Sequence, residues 1–221
     1  MSSFRYILTF HGVGPKPRTL TEEEDAVWLD HDAFEEILDA IKALGRTWLT
    51  FDDGNASDLD IALPSLLRRN LKADFFISTG KVGCDGYLNA SQVREIANAG
   101  MGIGNHGISH TSWRKLDHSD LWNELKNSQK KLEEIVGKPI DQASCPFGHY
   151  DRRVLSFLRR AGYSRVYTSD GGVAVTSHWL QPRTSLHRHD SSSSIYDLLS
   201  TNHHSTRNLI RRLKTAIKRR R

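Results

Sequence analysis

Short apolar runs alternate along the chain with stretches whose apolar residues recur every three or four positions. That alternation predicts an α/β fold of buried parallel strands joined by crossover helices. Arg5–Phe10 reads as a strand, followed by a loop with Gly12, Gly14, Pro15 and Pro17 and a helix over Asp32–Leu44. Asp32 is its expected cap, with Glu35 three residues on and Gly45 as its stop. Thr47–Phe51 reads as the next strand, Leu59–Asn70 as a helix and Ala73–Ile77 as a strand. Ser91 opens a helix that Gly100 ends, and Met101–Gly104 reads as a short strand. Ser119–Val136 reads as a long helix with Leu121, Leu125, Leu132 and Ile135 on one stripe. Ile140–Cys145 as a strand, Asp151–Ala161 as a helix and Ser164–Thr168 as a strand complete the regular pattern. Six or seven such units predict an irregular or incomplete (β/α)7-type barrel. After Trp179–Thr184 the texture becomes polar, with Ser191–Ser194 and His203-His204 ahead of a basic end. The expected organisation is therefore a barrel domain over residues 1–190 and a polar linker with a basic amphipathic tail over 191–221.

Composition supports a single folded domain with an appendage. The chain has 221 residues, 38% of them hydrophobic and 9% aromatic, enough for a real core and too much for wholesale disorder. No apolar run approaches the roughly 20 residues that a bilayer crossing needs. Tyr6–Phe10 is too short for a signal-peptide core, so a cytoplasmic location is expected. Cys84 and Cys145 match no metal spacing and read as ordinary thiols. The formal net charge is +5, but eight of the 31 basic residues fall between Arg207 and Arg221 with no acid among them. The other 23 face 26 acids, so the body is slightly acidic and a nucleic-acid partner is disfavoured. Within the tail, Leu209, Ile210, Leu213, Ala216 and Ile217 share one helical face. That pattern suits peripheral association with an anionic membrane through residues 207–221, at the inner face of the membrane.

Three strand ends carry candidate chemistry. Asp52 and Asp53 in Thr50-Phe51-Asp52-Asp53-Gly54 stand where barrel enzymes place catalytic groups, and adjacent carboxylates there can divide cation binding from proton transfer. His106 and His110 lie just past another strand, spaced to converge on one divalent transition metal. Ser144-Cys145-Pro146-Phe147-Gly148 offers a backbone amide and an aromatic wall beside a substrate, and His11 follows the first strand. All of these fall on one rim if the strand assignments hold.

Across residues 4–185 the chain resembles the polysaccharide deacetylases with a NodB-homology domain, carbohydrate esterase family 4. Their first motif, Thr-Phe-Asp-Asp-Gly, is matched without change at residues 50–54. Their second, His-(Ser/Thr)-x-x-His, is matched in spacing at His106–His110, with Gly107 at its second position. The resemblance implies a deacetylase-like barrel in which Asp53, His106 and His110 bind a divalent metal, usually zinc. It implies Asp52 as the general base toward water at that metal, and N-acetylated poly- or oligosaccharides or lipid-linked glycans as substrate. Two positions depart from the family pattern. Ser144 stands where the third motif commonly has an arginine, for which Arg183 is the candidate replacement because a guanidinium matches a carboxylate in shape. No clean copy of the late Leu-x-His motif is present, so the general acid is assigned to His11, in Leu8-Thr9-Phe10-His11, with His187 as runner-up and His189 behind it. Phe147, Gly148 and Arg183 are the expected substrate-side residues. The competing readings are a catalytically silent glycan-binding barrel and a nucleic-acid binder acting through the tail; no pattern names the sugar or an oligomeric state.

Overall fold

The computed structural model describes residues 4–45, 47–200 and 218. Six parallel strands run in sequence order: β1 (Phe4–Phe10), β2 (Thr47–Asp53), β3 (Ala73–Ile77), β4 (Gly102–Asn105), β5 (Gln142–Ser144) and β6 (Arg165–Thr168). β7 (Val173–Val175) lies antiparallel against the start of β1. β8 (Leu180–Pro182) pairs parallel with β6, and β9 (Thr184–Ser185) pairs parallel with β1. Residues 180–185 thus bond to the last stave on one side and the first on the other. They nearly close the expected irregular α/β barrel, and Arg183 sits at the joint.

Helices fill the crossovers, α1 (Glu22–Ala26), α2 (His31–Leu44), α3 (Leu63–Arg68), α4 (Ala90–Asn98), α5 (His118–Val136) and α6 (Arg152–Arg160), and α7 (Ser192–Ser200) follows the last strand and packs on α2. The expected positions hold within a few residues, with physical reasons for the differences. α2 is capped by Asp30, whose side chain accepts from the Asp32 amide, so Asp32 itself is inside the first turn. The single helix expected over 59–70 is divided: a π turn over Asp58–Ala62 precedes α3, because Pro64 has no N–H to continue an ordinary ladder. Ser192–Ser200, expected as linker, is helical and buries Ile195. The amphipathic helix expected at 207–221 lies outside the described residues except for Lys218. Among the described residues no helix is long and apolar enough to cross a membrane.

Strand alternation decides what faces outward and what faces inward. Phe10, Phe51 and Phe75 are register partners on adjacent strands, and their rings stack at 5.0 and 4.7 Å beneath the helices, with Phe34 of α2 edge-on to Phe10 at 5.1 Å. Truncating Phe51 to Ala would cost about 3–5 kcal/mol. The intervening positions Thr9, Thr50 and Asp52 therefore point into the barrel, where all three are buried. Cys84 is exposed, Cys145 is buried, and both are free thiols.

Candidate active site

Asp52 and Asp53 are consecutive residues of a strand and should face opposite ways. Both nevertheless line one cavity of about 610 Å³, because Asp53 has φ of 81° and breaks the alternation. Of the four described non-glycine residues with positive φ, three are Asp53, His110 and Phe147; such strain gathers where geometry is imposed on functional groups.

His106 and His110 reach the same cavity from the loop after β4. That loop is held from α5: Glu124 accepts the Ile108 amide at 2.5 Å and the Ser109 amide at 3.1 Å, while Ser128 Oγ donates to Asn105 Oδ1 at 2.7 Å. Gly107 has φ of 81°, and a Cβ there would meet Glu124 Oε2 at 2.7 Å. The glycine at the motif's second position is therefore matched to the carboxylate packed against it.

Asp53 Oδ1 lies 3.0 Å from His110 Nε2 and 3.7 Å from His106 Nε2. One ligand atom from each of the three residues falls within 4.8 Å of the others. Ligands of a tetrahedral zinc with bonds of about 2.0–2.1 Å stand about 3.3 Å apart, between the two observed separations. His106 Nδ1 donates to the Ser144 carbonyl at 2.9 Å, which leaves Nε2 with a bare lone pair facing the carboxylate. Burial pushes the His106 pKa down to about 4, so the ring is neutral at pH 7. Burial alone would raise the Asp53 pKa, but His110, through its hydrogen bond first and its charge second, holds it well below the usual carboxylate range. Asp53 Oδ1 is buried without a well-directed hydrogen bond among the described residues. A buried anionic oxygen facing the bare Nε2 of the neutral His106 ring fits a divalent cation and is otherwise unfavourable.

Asp52 is held from the other side. Arg183 is fully buried at 0% exposure; its Nη1 donates to Asp52 Oδ1 at 2.7 Å and its Nη2 to Asp52 Oδ2 at 2.6 Å. The same guanidinium donates to Thr50 Oγ1 at 3.1 Å, to Ser144 Oγ at 2.6 Å and to the Thr168 carbonyl at 3.3 Å. Ser144 Oγ in turn donates to Asp52 Oδ2 at 3.2 Å. Burial would raise the Asp52 pKa, and the Arg183 charge overrides it, keeping the carboxyl below its ordinary value. Asp52 Oδ2 also lies 3.7 Å from His106 Nε2.

The other expected residues separate. His11 and His187 both line the cavity. His11 Nδ1 is buried without a hydrogen-bond partner among the described residues, and burial lowers the ring's pKa against the pull of Asp53 and Asp52. His189, which accepts from Arg188 Nε at 3.1 Å, is not part of the lining. Phe147 is 49% exposed, a wall whose ring centroid stands 4.6 Å from that of His110. Gly148 is buried behind it, where a Cβ would meet the Ser169 backbone nitrogen at 2.9 Å, and it does not line the cavity.

The sequence reading passed over Glu23, Glu24 and Asp170, all in the lining. Glu24 belongs to a capping box with Thr21, a pattern visible in Thr21-Glu22-Glu23-Glu24. Asp170 lies just past β6, the strand-end position that singled out Asp52 and Asp53 on β2.

Residues 42–166 match the family model described as "Polysaccharide deacetylase". A peptidoglycan-N-acetylglucosamine deacetylase of Bacillus cereus is 32% identical over 103 residues, 45% of this chain and 35% of its own length. The peptidoglycan-N-acetylglucosamine deacetylase PgdA of Listeria monocytogenes is 28% identical over 110 residues, 49% of this chain and 23% of its own. The chain thus spans well under half the length of these two curated relatives. Among solved structures, the Streptococcus pyogenes deacetylase PplD, determined in complex with acetate, superposes with a TM-score of 0.77 at 21% identity. That superposition covers 90% of this chain and 99% of PplD, and it supports the fold.

Proposed function

Because the chain belongs to the polysaccharide deacetylase family, we propose that it is a metal-dependent hydrolase removing acetyl groups from N-acetylated sugars, with Asp53, His106 and His110 as ligands to a divalent ion, most simply zinc. The observation that carries this reading is the convergence of those three side chains beside an Asp52 locked in place by Arg183. The ion would supply Lewis-acid polarisation of the acetamide carbonyl and a more acidic water. Asp52 accepts the proton of the attacking water. Its carboxylate is kept ionised and fixed in rotation by the two Arg183 donors, so it meets the water in one orientation. Arg183 therefore acts through Asp52, in the place left open by Ser144. An amine is a poor leaving group and needs a proton as its bond breaks. His11 is assigned that task because it lines the cavity beside Asp52 and Asp53, with His187 as the other donor on the cavity wall. Phe147 offers a flat apolar surface for the sugar ring.

The test is acetate release from N-acetylglucosamine oligomers, lipid-linked N-acetylated sugars and acetyl esters with zinc added. Release from the amide substrates is expected; release from none of them contradicts the reading. The domain reading adds that the barrel carries this site while the basic sequence 207–221 docks on anionic membrane. Equal vesicle flotation with and without that segment would contradict the docking.

A further inference from the structure

His11 also lines a second, small cavity, together with Arg18, Glu24, Trp28, Asp53 and Asn55. Its volume of about 10 Å³ is the room of a single water. Of the eleven buried side-chain polar atoms without a hydrogen-bond partner among the described residues, four belong to this lining: His11 Nδ1, Arg18 Nε, Asp53 Oδ1 and Asn55 Oδ1. Asp53 Oδ1 is accounted for by the proposed ion. Buried polar atoms are almost always partnered, so the other three, gathered on one chamber, point to one shared partner. All three side chains are held by their surroundings. Arg18 Nη2 donates to Glu24 Oε1 at 2.8 Å and Nη1 to Oε2 at 3.1 Å, and these nitrogens also reach Tyr87 Oη and the Thr19 carbonyl. Nε–H is the donor left over. Asn55 is 2% exposed, bridges to Tyr87 through its backbone, and accepts the Asp58 amide at 3.0 Å on its carbonyl. Trp28, whose Nε1 donates to the Gly14 carbonyl at 2.8 Å, lays its ring against Gly12, the residue after His11.

Resting on the deacetylase reading, we propose that Asn55 and Arg18 are positioning residues for the general acid His11, acting through one water held in this chamber. The acid form of an imidazole carries a proton on each nitrogen. With Nδ1, the covered nitrogen, facing the chamber, only the proton on Nε2 can pass to the leaving amine. The Nδ1–H then needs an acceptor, because a buried charged ring without one is unfavourable. The water accepts from His11 Nδ1–H and from Arg18 Nε–H on its two lone pairs and donates to Asn55 Oδ1. Two donors and one acceptor thus match what a water offers in return. Held this way, the ring keeps one orientation before and after the transfer. Neither Asn55 nor Arg18 lines the main cavity, so both act through His11 and not on the sugar.

A high-resolution crystal structure of the zinc-loaded full chain is the direct test. One water within about 3.2 Å of both His11 Nδ1 and Asn55 Oδ1 is expected. A chamber without it, or a ring turned so that Nδ1 bonds elsewhere, overturns the proposal. Kinetics supply the second readout. Asn55→Leu removes the polar atoms at similar shape and is expected to lower kcat on an N-acetylglucosamine oligomer about tenfold, with KM and bound zinc unchanged. In a His11→Asn background the same substitution should change kcat less than about twofold, because the group it positions is gone. A loss of equal size in both backgrounds, or no loss in the parent, overturns the proposal. Arg18→Lys keeps a cation for Glu24 but lacks the Nε–H, and it repeats the comparison, with a loss of about threefold in the parent alone, should Asn55→Leu lose its zinc or its fold. No acetate from the parent contradicts the deacetylase reading instead, and the crystal structure then decides whether the water holds the ring.

Discussion

Arg183 grips both oxygens of Asp52 across 131 residues of sequence, at 2.7 and 2.6 Å, in a fully buried guanidinium–carboxylate fork. A lysine presents one ammonium and cannot reproduce two parallel donors. Arg183→Lys is therefore expected to lower kcat about 100-fold while leaving bound metal unchanged. A kcat within about twofold of the parent would show that the fork does not orient the base. Arg183→Ala leaves the Asp52 charge buried without its partner and is expected to cost about 3–5 kcal/mol of stability as well, read as a lowered Tm.

The second-motif glycine gives a stability test. Gly107→Ser restores the residue type common in the family but forces a side chain into positive φ at 2.7 Å from Glu124 Oε2. The expected loss is about 1–3 kcal/mol, with weaker metal binding because the same loop carries His106 and His110. An unchanged Tm would contradict the packing described for that loop.

Asp58 supplies the pH test. Its carboxyl is buried with both oxygens lacking partners among the described residues, and burial, reinforced by Asp53 and Asp52, pushes its pKa well above the ordinary value. The folded state keeps a proton that the unfolded chain releases above about pH 4. Stability from this group is therefore greatest below that pH and declines as pH rises toward the raised folded pKa. Asp58→Asn should flatten that decline and raise Tm by a few degrees at pH 7 (about 1–2 kcal/mol). A lower Tm at pH 7 with an unchanged slope contradicts this assignment.

Two histidines on the cavity wall can be separated by kinetics. His11→Asn is expected to reduce kcat about 100-fold and to alter the limb of the pH–rate profile that reports the acid, whereas His187→Asn should change kcat less than about fivefold. The reverse order would move the acid to His187.

Much of the fold was legible because its signals are local. The apolar runs fixed β1 to β3, and glycine stops marked the ends of α2 and α5, where Gly45 and Gly137 adopt the left-handed conformation. The site was legible where residues close in sequence carry it, as in Asp52-Asp53 and His106–His110. The Arg183–Asp52 fork was visible only as a possibility, because it depends on β8 and β9 closing the barrel, a long-range event that no local pattern encodes. Asp58 was invisible for a different reason: an unpartnered buried acid runs against the rule that polar residues face water. The inward wall of Glu24 and Asp170 was missed although its local signals, a capping box and a strand-end acid, were present in the sequence.

The most direct measurement is metal content of the purified full chain after zinc loading and gel filtration, beside the Asp53→Ala and His106→Ala variants, with folding of each checked by circular dichroism. About one zinc per chain in the parent, and far less than that in both folded variants, is the expected result. A parent that retains no metal, or variants that retain it in full, would contradict a hydrolase centred on Asp53, His106 and His110.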